Sequence, residues 1–329
     1  MNREGSRLAV IICTYTNERL AGLGRAIRSV LRQSRRPDEL IVVVDHNEAL
    51  LARVTRDFRE VLVVDNWQAP GLSGARNSGI AASGAELIAF IDDDAEAAPD
   101  WLERLELGFQ DNRVFGVGGY VEAIWEERRP RWFPEEFDWV VGCSYRGLPE
   151  AAGNVRNLLG CNMAFRREVF QAVGGFRTGI GRIGTYPSGC EETELCIRAG
   201  QALHGQVLRY DPEVQVRHQV PPKRASWGYF RSRCYAEGIS KALITRFVGK
   251  DAGLSSERRH ALRTLPRGLM RNFAGALHHR DVWRVVQGGV MAAGLGLAVA
   301  GFLRGRWSIG ISPATAAGAA NRDLFFGDS

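Results

Sequence analysis

"GLSGARNSGIAASGAELIAFIDDD", residues 71–94, holds a glycine-rich turn, a small-residue helix and an apolar strand that runs into three consecutive aspartates. Turn, helix and strand in that order are one repeat of an α/β sheet covered by helices. The stretches before it repeat the pattern. "RLAVIICTY" (7–15), "DELIVVVDHN" (38–47) and "EVLVVDN" (60–66) read as buried strands. Between the first two, Leu20, Leu23, Ile27, Val30 and Leu31 fall at helical spacing. The expectation is a mostly parallel sheet with its ligand site at the carboxyl ends of the strands. Three of those ends carry polar residues, Thr14 with Tyr15, Asp45, and Asp92-Asp93-Asp94, which points to one shared cleft.

Side chains alternate along an extended strand, so Asp92 and Asp94 face one way and Asp93 the other. Crowded carboxylates resist ionisation unless a positive partner is near. A hard divalent cation, Mn²⁺ or Mg²⁺, completed by phosphate oxygens would supply it; the competing reading is a helix cap in a loop. The glycine-rich turn upstream offers backbone amides, and Arg76 a guanidinium, to a pyrophosphate.

The chain has 329 residues, 45% hydrophobic and 24% charged, enough for one large or two moderate domains. Its six cysteines show no CxxC or Cys/His spacing, which excludes a recognisable zinc site and suggests a reducing, cytoplasmic home. The opening apolar run is too short for a secretory signal. Residues 217–306 hold 17 Lys/Arg against 4 Asp/Glu; the remainder is therefore −7 against a total of +6. An acidic body suits a cation-requiring site, and a basic C-terminal third suits an anionic partner or is simply a solvated face.

Five ordered motifs, "VIICTYTNERL", "IVVVDHN", "GLSGARNSGIAASGAELIAFIDDD", "GCNMAFRREVFQAVGGF" and "GCEETELCIRAG", resemble the family 2 glycosyltransferases of the GT-A fold, over roughly residues 7–245. The resemblance implies an inverting, metal-dependent enzyme that takes a nucleotide diphosphate sugar, UDP-linked, as donor. It implies that Thr14, Tyr15 and Asp45 line the base and ribose pocket and that Arg76 and Asn77 approach the donor. Asp92-Asp93-Asp94 matches the DxD motif, with Asp92 or Asp93 near the ribose and Asp94 on the metal. The family's Thr/Ser-Tyr-Asn-Arg-Glu turn appears here as "TYTNER", with Thr16 intervening.

In "GCEETELCIR", Glu191 and Glu192 correspond to the family's Glu-Asp pair, whose second member is the catalytic base. Displacing a nucleotide diphosphate with inversion needs a base on the acceptor hydroxyl and a charge sink at the leaving group. Glu192 is assigned as base and Glu191 as orienting the acceptor; Glu191 or Glu194 in the working position, or a plain acidic helix start, are the other readings. His218 is a further metal ligand, a diphosphate contact or a surface histidine. Arg231 and Arg233 face different ways on a helix, so at most one reaches the diphosphate, and Arg233 is the choice. Trp125, Trp132, Phe133, Phe137 and Trp139 form either a sugar or lipid platform or core.

Residues 285–303 number 19 and include Gln287 and five glycines, near the ~20 a bilayer span needs. A membrane-associated helix and a buried amphipathic helix are the alternatives. The predicted organisation is a nucleotide-sugar half (1–110), an acceptor and catalytic half (111–222), a basic helical extension (223–283) and an apolar helix with a poorly ordered tail (284–329). Expected partners are the donor, a glycan or polyprenyl-phosphate-linked acceptor and the cytoplasmic face of a membrane; no nucleic acid is expected. A nucleotidyl or phosphoryl transferase would be expected to carry a phosphate-cradling GxxxxGK[ST], which is absent. A non-catalytic binder of membranes or nucleic acid leaves the two acidic motifs unexplained.

Overall fold

The computed structural model describes residues 6–182 and 189–311; the predicted tail, from 312 on, lies outside them. The chain forms two compact units, Met1–Glu122 with Pro149–Thr185 and Glu191–Gln219, and Ala123–Leu148 with Tyr186–Cys190 and Val220–Ser329.

The first unit opens with β1 (Leu8–Thr14), α1 (Leu20–Leu31), β2 (Glu39–Val44), α2 (Glu48–Asp57), β3 (Leu62–Asp65), α3 (Leu72–Ala82) and β4 (Leu87–Asp92). There follow β5 (Ala95–Ala97), α4 (Trp101–Gly108), β6 (Val114–Trp125), β7 (Gly153–Val155), β8 (Met163–Arg166), α5 (Arg167–Val173), α6 (Glu191–Ala202) and β9 (Val207–Val220). The sheet runs β3-β2-β1-β4-β8-β6-β9-β5, with β7 on β9. The first four strands in that order are parallel, while β8 pairs antiparallel with β4 and β6, and β9 with β5 and β7.

Strand alternation makes the two layers. Leu8, Val10 and Ile12 of β1 pack with Leu23, Ile27 and Val30 of α1 and with Leu50 and Val54 of α2. Ile11 turns to the opposite face and packs with Ala75 and Ile80 of α3 and Leu195 of α6. Both faces are covered, so the parallel strands read as unbroken apolar runs. The glycines of the opening motif have a defined task. Gly71 precedes α3 at φ 111°, a left-handed conformation that a side chain would strain, and a Cβ at Gly74 would lie 1.9 Å from the Ala69 carbonyl oxygen.

The second unit is helical: α7 (Trp227–Val248), α8 (Lys250–Arg259), a π-helical turn at His260–Thr264, α9 (Leu265–His279) and α10 (Val282–Ile311). Ser226 caps α7 by accepting from the Tyr229 amide at 3.2 Å. Phe133 and Phe137 are buried here, and Phe133, Trp132 and Trp227 surround Phe230 in edge and stacked contacts.

Candidate active site

β1, β2 and β4 end side by side, and the loops that leave them hold the polar residues anticipated there. Asp45 accepts from Asn66 Nδ2 at 2.6 Å and from the Gly71 amide at 2.9 Å, which ties the end of β2 to the start of α3. The next residue, His46, takes φ 47°, and its Nε2 lies 2.8 Å from the Gln68 carbonyl oxygen. Tyr15 is partly exposed after β1; its carbonyl accepts from Asn47 Nδ2.

β4 ends at Asp92, and the turn that carries Asp93 and Asp94 into β5 separates the three aspartates. Asp93 turns inward, 2% exposed, and accepts from Thr14 Oγ1 at 2.8 Å and Arg19 Nη1 at 2.7 Å. Burial pushes its carboxyl up to about 6, with Arg19 opposing the shift and Asp94 adding to it. Asp92 and Asp94 turn the other way and meet His218, with one ligand atom from each within 4.8 Å of the others. The His218 Nε2 to Asp94 Oδ1 distance is 3.1 Å. Strand register explains the meeting: Ala95 of β5 pairs with His218 of β9, so the residue before Ala95 lies next to the imidazole. Two carboxylates and one imidazole are a fitting donor set for Mn²⁺, whose preferences span oxygen and nitrogen, and leave coordination positions for phosphate oxygens.

The second acidic motif starts α6. Glu191 is 4% exposed and receives Arg76 Nη1 at 2.8 Å. Arg76 Nη2 also donates to the Gly160 carbonyl at 2.9 Å and lies 3.5 Å from Asp92 Oδ1, and the guanidinium lies over the rings of Phe90 and Phe176. One buried arginine therefore joins two acidic motifs about a hundred residues apart. Glu194 is fully buried between Arg177 (3.1 Å) and Arg198 (2.9 Å). Glu192 differs from both: it is partly exposed in the first turn of α6, where the helix dipole favours its charge, and its Oε1 accepts from Thr193 Oγ1 at 3.1 Å.

The sequence-derived residues thus fall into groups. Thr14, Asp92, Asp93, Asp94 and His218 converge, and Arg76 links Asp92 to Glu191. Asn77 turns to the backbone of Phe176, donating to its carbonyl at 2.9 Å and accepting from its amide at 2.8 Å. Arg233 lies in the second unit, donating to Glu237 Oε2 at 2.8 Å with its guanidinium over Trp139. The reading from sequence missed Arg19, which contacts Asp93 and approaches Asp94 to 3.3 Å. Its signal lies in "TYTNER", the turn that departs from the family pattern.

Comparison with known proteins agrees with this geometry. Residues 9–174 match the model of glycosyl transferase family 2. The chain is 37% identical over 242 residues to the glucosyl-dolichyl phosphate glucuronosyltransferase of Haloferax volcanii, covering 72% of this chain and 77% of that one. It is 27% identical over 244 residues to the succinoglycan biosynthesis protein ExoM of Rhizobium meliloti, covering 72% and 75%. Among solved structures, a mannosyltransferase from Pyrobaculum calidifontis in complex with GDP-Man and Mn²⁺ superposes with TM-score 0.57 at 17% identity, over 92% of this chain and 87% of that one. GalNAc-T7 with UDP, GalNAc and Mn²⁺ gives 0.52 at 18% identity, over 79% of this chain and 55% of that one. The protein belongs to glycosyl transferase family 2 and has the GT-A fold.

Proposed function

We propose that this glycosyltransferase moves one sugar, with inversion, from a nucleotide diphosphate sugar to a polyprenyl-phosphate-linked or glycan acceptor, with uridine as the donor base. The reading rests on the convergence of Asp92, Asp94 and His218 in the unit that also presents Glu192 at a helix start. These three residues would hold Mn²⁺ or Mg²⁺, which offsets charge on the departing diphosphate when bound. Arg19 and Thr14 keep Asp93 fixed behind the pair, and Thr14, Tyr15 and Asp45 border the space for base and ribose. Glu192 takes the proton from the acceptor hydroxyl. Glu191 and Glu194 are neutralised internally by arginines, which favours Glu192 as the base and gives Arg76 the part of a strut. The relative from Haloferax supports a lipid-phosphate acceptor. Such an acceptor, with the basic helical unit, supports work at the cytoplasmic face of a membrane.

Thermal unfolding with UDP, GDP, dTDP and CMP, each with Mn²⁺ and with EDTA, tests the donor class, because a specific ligand raises apparent stability by mass action. A shift with UDP that EDTA abolishes is expected; no metal-dependent shift with any nucleotide overturns the reading. Glu192→Gln is expected to keep the UDP shift and slow transfer by ~10²–10⁴, and unchanged turnover would move the base elsewhere.

A further inference from the structure

We propose that α9 and α10 together form a docking surface that lies in the plane of an anionic bilayer and does not cross it. This rests on the membrane part of the proposed function and extends it to a second helix and a defined mode of attachment.

By length and composition α10 is able to span: Val282–Trp307 has a mean hydropathy of 1.7 over its most apolar window. Its neighbour argues against spanning. A Cβ at Gly238 of α7 would sit 2.0 Å from the Ala298 carbonyl oxygen, and one at Gly301 of α10 would sit 2.0 Å from the Tyr235 carbonyl oxygen. The two helices touch backbone to backbone along the C-terminal half of the apolar run. On this same stretch, α7 carries Arg233, Glu237 and Lys241, which are ion-paired with one another and with Glu257 of α8. Hydrocarbon around all of α10 would engulf that network, at a steep cost for each charge.

The other faces suit an interface. A helix that is half sheathed by protein normally turns polar residues outward. Instead, α10 exposes Val285, Val299 and Leu303, with no charged residue between Arg284 and Arg304. α9 runs antiparallel beside it: a Cβ at Gly268 would meet Met291 at 2.6 Å, and one at Gly275 would meet Arg284 at 2.7 Å. Leu265, Gly268 and Asn272 face inward, while Met270, Phe273 and Leu277 are 64%, 68% and 69% exposed on the opposite side at helical spacing. Arg263 and Arg267 flank that stripe, and Arg280 sits at the turn of the hairpin, exposed. An exposed aromatic and aliphatic stripe edged by arginine, within a segment of charge +13 (217–306), is complementary to anionic headgroups over acyl chains.

The test is co-sedimentation of the full chain with vesicles of phosphatidylcholine alone or mixed with phosphatidylglycerol. The wild type is expected to bind the mixed vesicles in a salt-dependent way and to be released by alkaline carbonate. Met270→Asp with Phe273→Asp should weaken binding about tenfold or more with unchanged thermal unfolding. Arg263→Gln with Arg267→Gln should cost roughly fivefold per arginine on anionic vesicles only. Carbonate-resistant retention would show a spanning helix and overturn the proposal. So would wild-type binding by the aspartate variant, or a stable dimer in sedimentation velocity that this variant dissociates. UDP binding with Mn²⁺, measured on the same sample, separates the two readings. Lost vesicle binding with intact UDP binding refutes the docking surface alone, whereas absent UDP binding refutes the proposed donor chemistry.

Discussion

Replacing Arg76 by methionine removes the cation that joins Asp92 to Glu191. The guanidinium is 2% exposed and the Glu191 side chain 5%, with 2.8 Å between their nearest atoms. At a charge separation of about 4 Å and an effective dielectric of about 20, the attraction is worth about 4 kcal/mol. Removing one partner of such a pair typically costs about 3–5 kcal/mol, because the other charge stays buried without compensation. Arg76→Met should therefore lower the unfolding free energy by about 3–5 kcal/mol in urea titrations at constant m-value. Arg76→Met with Glu191→Met removes both charges and should recover most of that loss, since a buried pair exchanged for apolar side chains is often neutral or better. The double variant also separates a strut from a donor contact: it should still show Mn²⁺-dependent stabilisation by UDP. A single-variant loss below about 1 kcal/mol would mean that water reaches the pair. Recovered stability with lost UDP binding would mean that Arg76 touches the donor.

Two further outcomes concern the helical unit. Burial pushes His260 down to about 4 from its ordinary value near 6.5. The unfolded chain binds the extra proton first, so stability is full above pH 6.5 and is lost as pH falls toward 4, by roughly 3 kcal/mol. His260→Leu should flatten that part of a pH series of urea midpoints, and an unchanged slope there would assign the acid sensitivity to other groups. Gly301→Val places a side chain where the Tyr235 carbonyl oxygen is 2.0 Å from the Cβ. Backbone cannot yield as a flexible side chain does, so the loss should reach the upper end of the roughly 1–3 kcal/mol seen for overpacking. A loss under about 0.5 kcal/mol by thermal unfolding would show that α7 and α10 do not pack this closely.

The features legible in the sequence follow from local rules. Unbroken apolar runs, helical spacing between them and glycines at the turns give the α/β sheet with both faces covered. Alternation read along the sequence separates Asp93 from Asp92 and Asp94; in the structure β4 ends at Asp92, and the turn after it sends Asp93 inward to Thr14 and Arg19 and Asp94 toward His218. The order of five motifs carried the family. The acidic start of α6 was legible as a helix start, but three glutamates there look alike in sequence. Their surroundings differ because Arg76 of α3 reaches Glu191 and Arg177, beyond α5, reaches Glu194, while Arg198 closes on Glu194 from the next turn of α6.

Tertiary structure decided the contacts between distant segments. His218 joins Asp94 through the β5–β9 register, a pairing across more than a hundred residues that no spacing encodes. Arg76 and Asn77, which sequence places after a glycine-rich turn and so near a ligand, point inward because α5, Phe176 and α6 pack over that face of the sheet. Arg19 was overlooked because the direction of a side chain in a short turn depends on the 3-10 geometry of residues 17–19 and on the buried carboxylate it meets. The outward apolar face of α9 is of the same kind. Helical spacing marks an apolar stripe, but only the packing of Leu265, Gly268 and Asn272 against the unit shows that Met270, Phe273 and Leu277 face away from the protein.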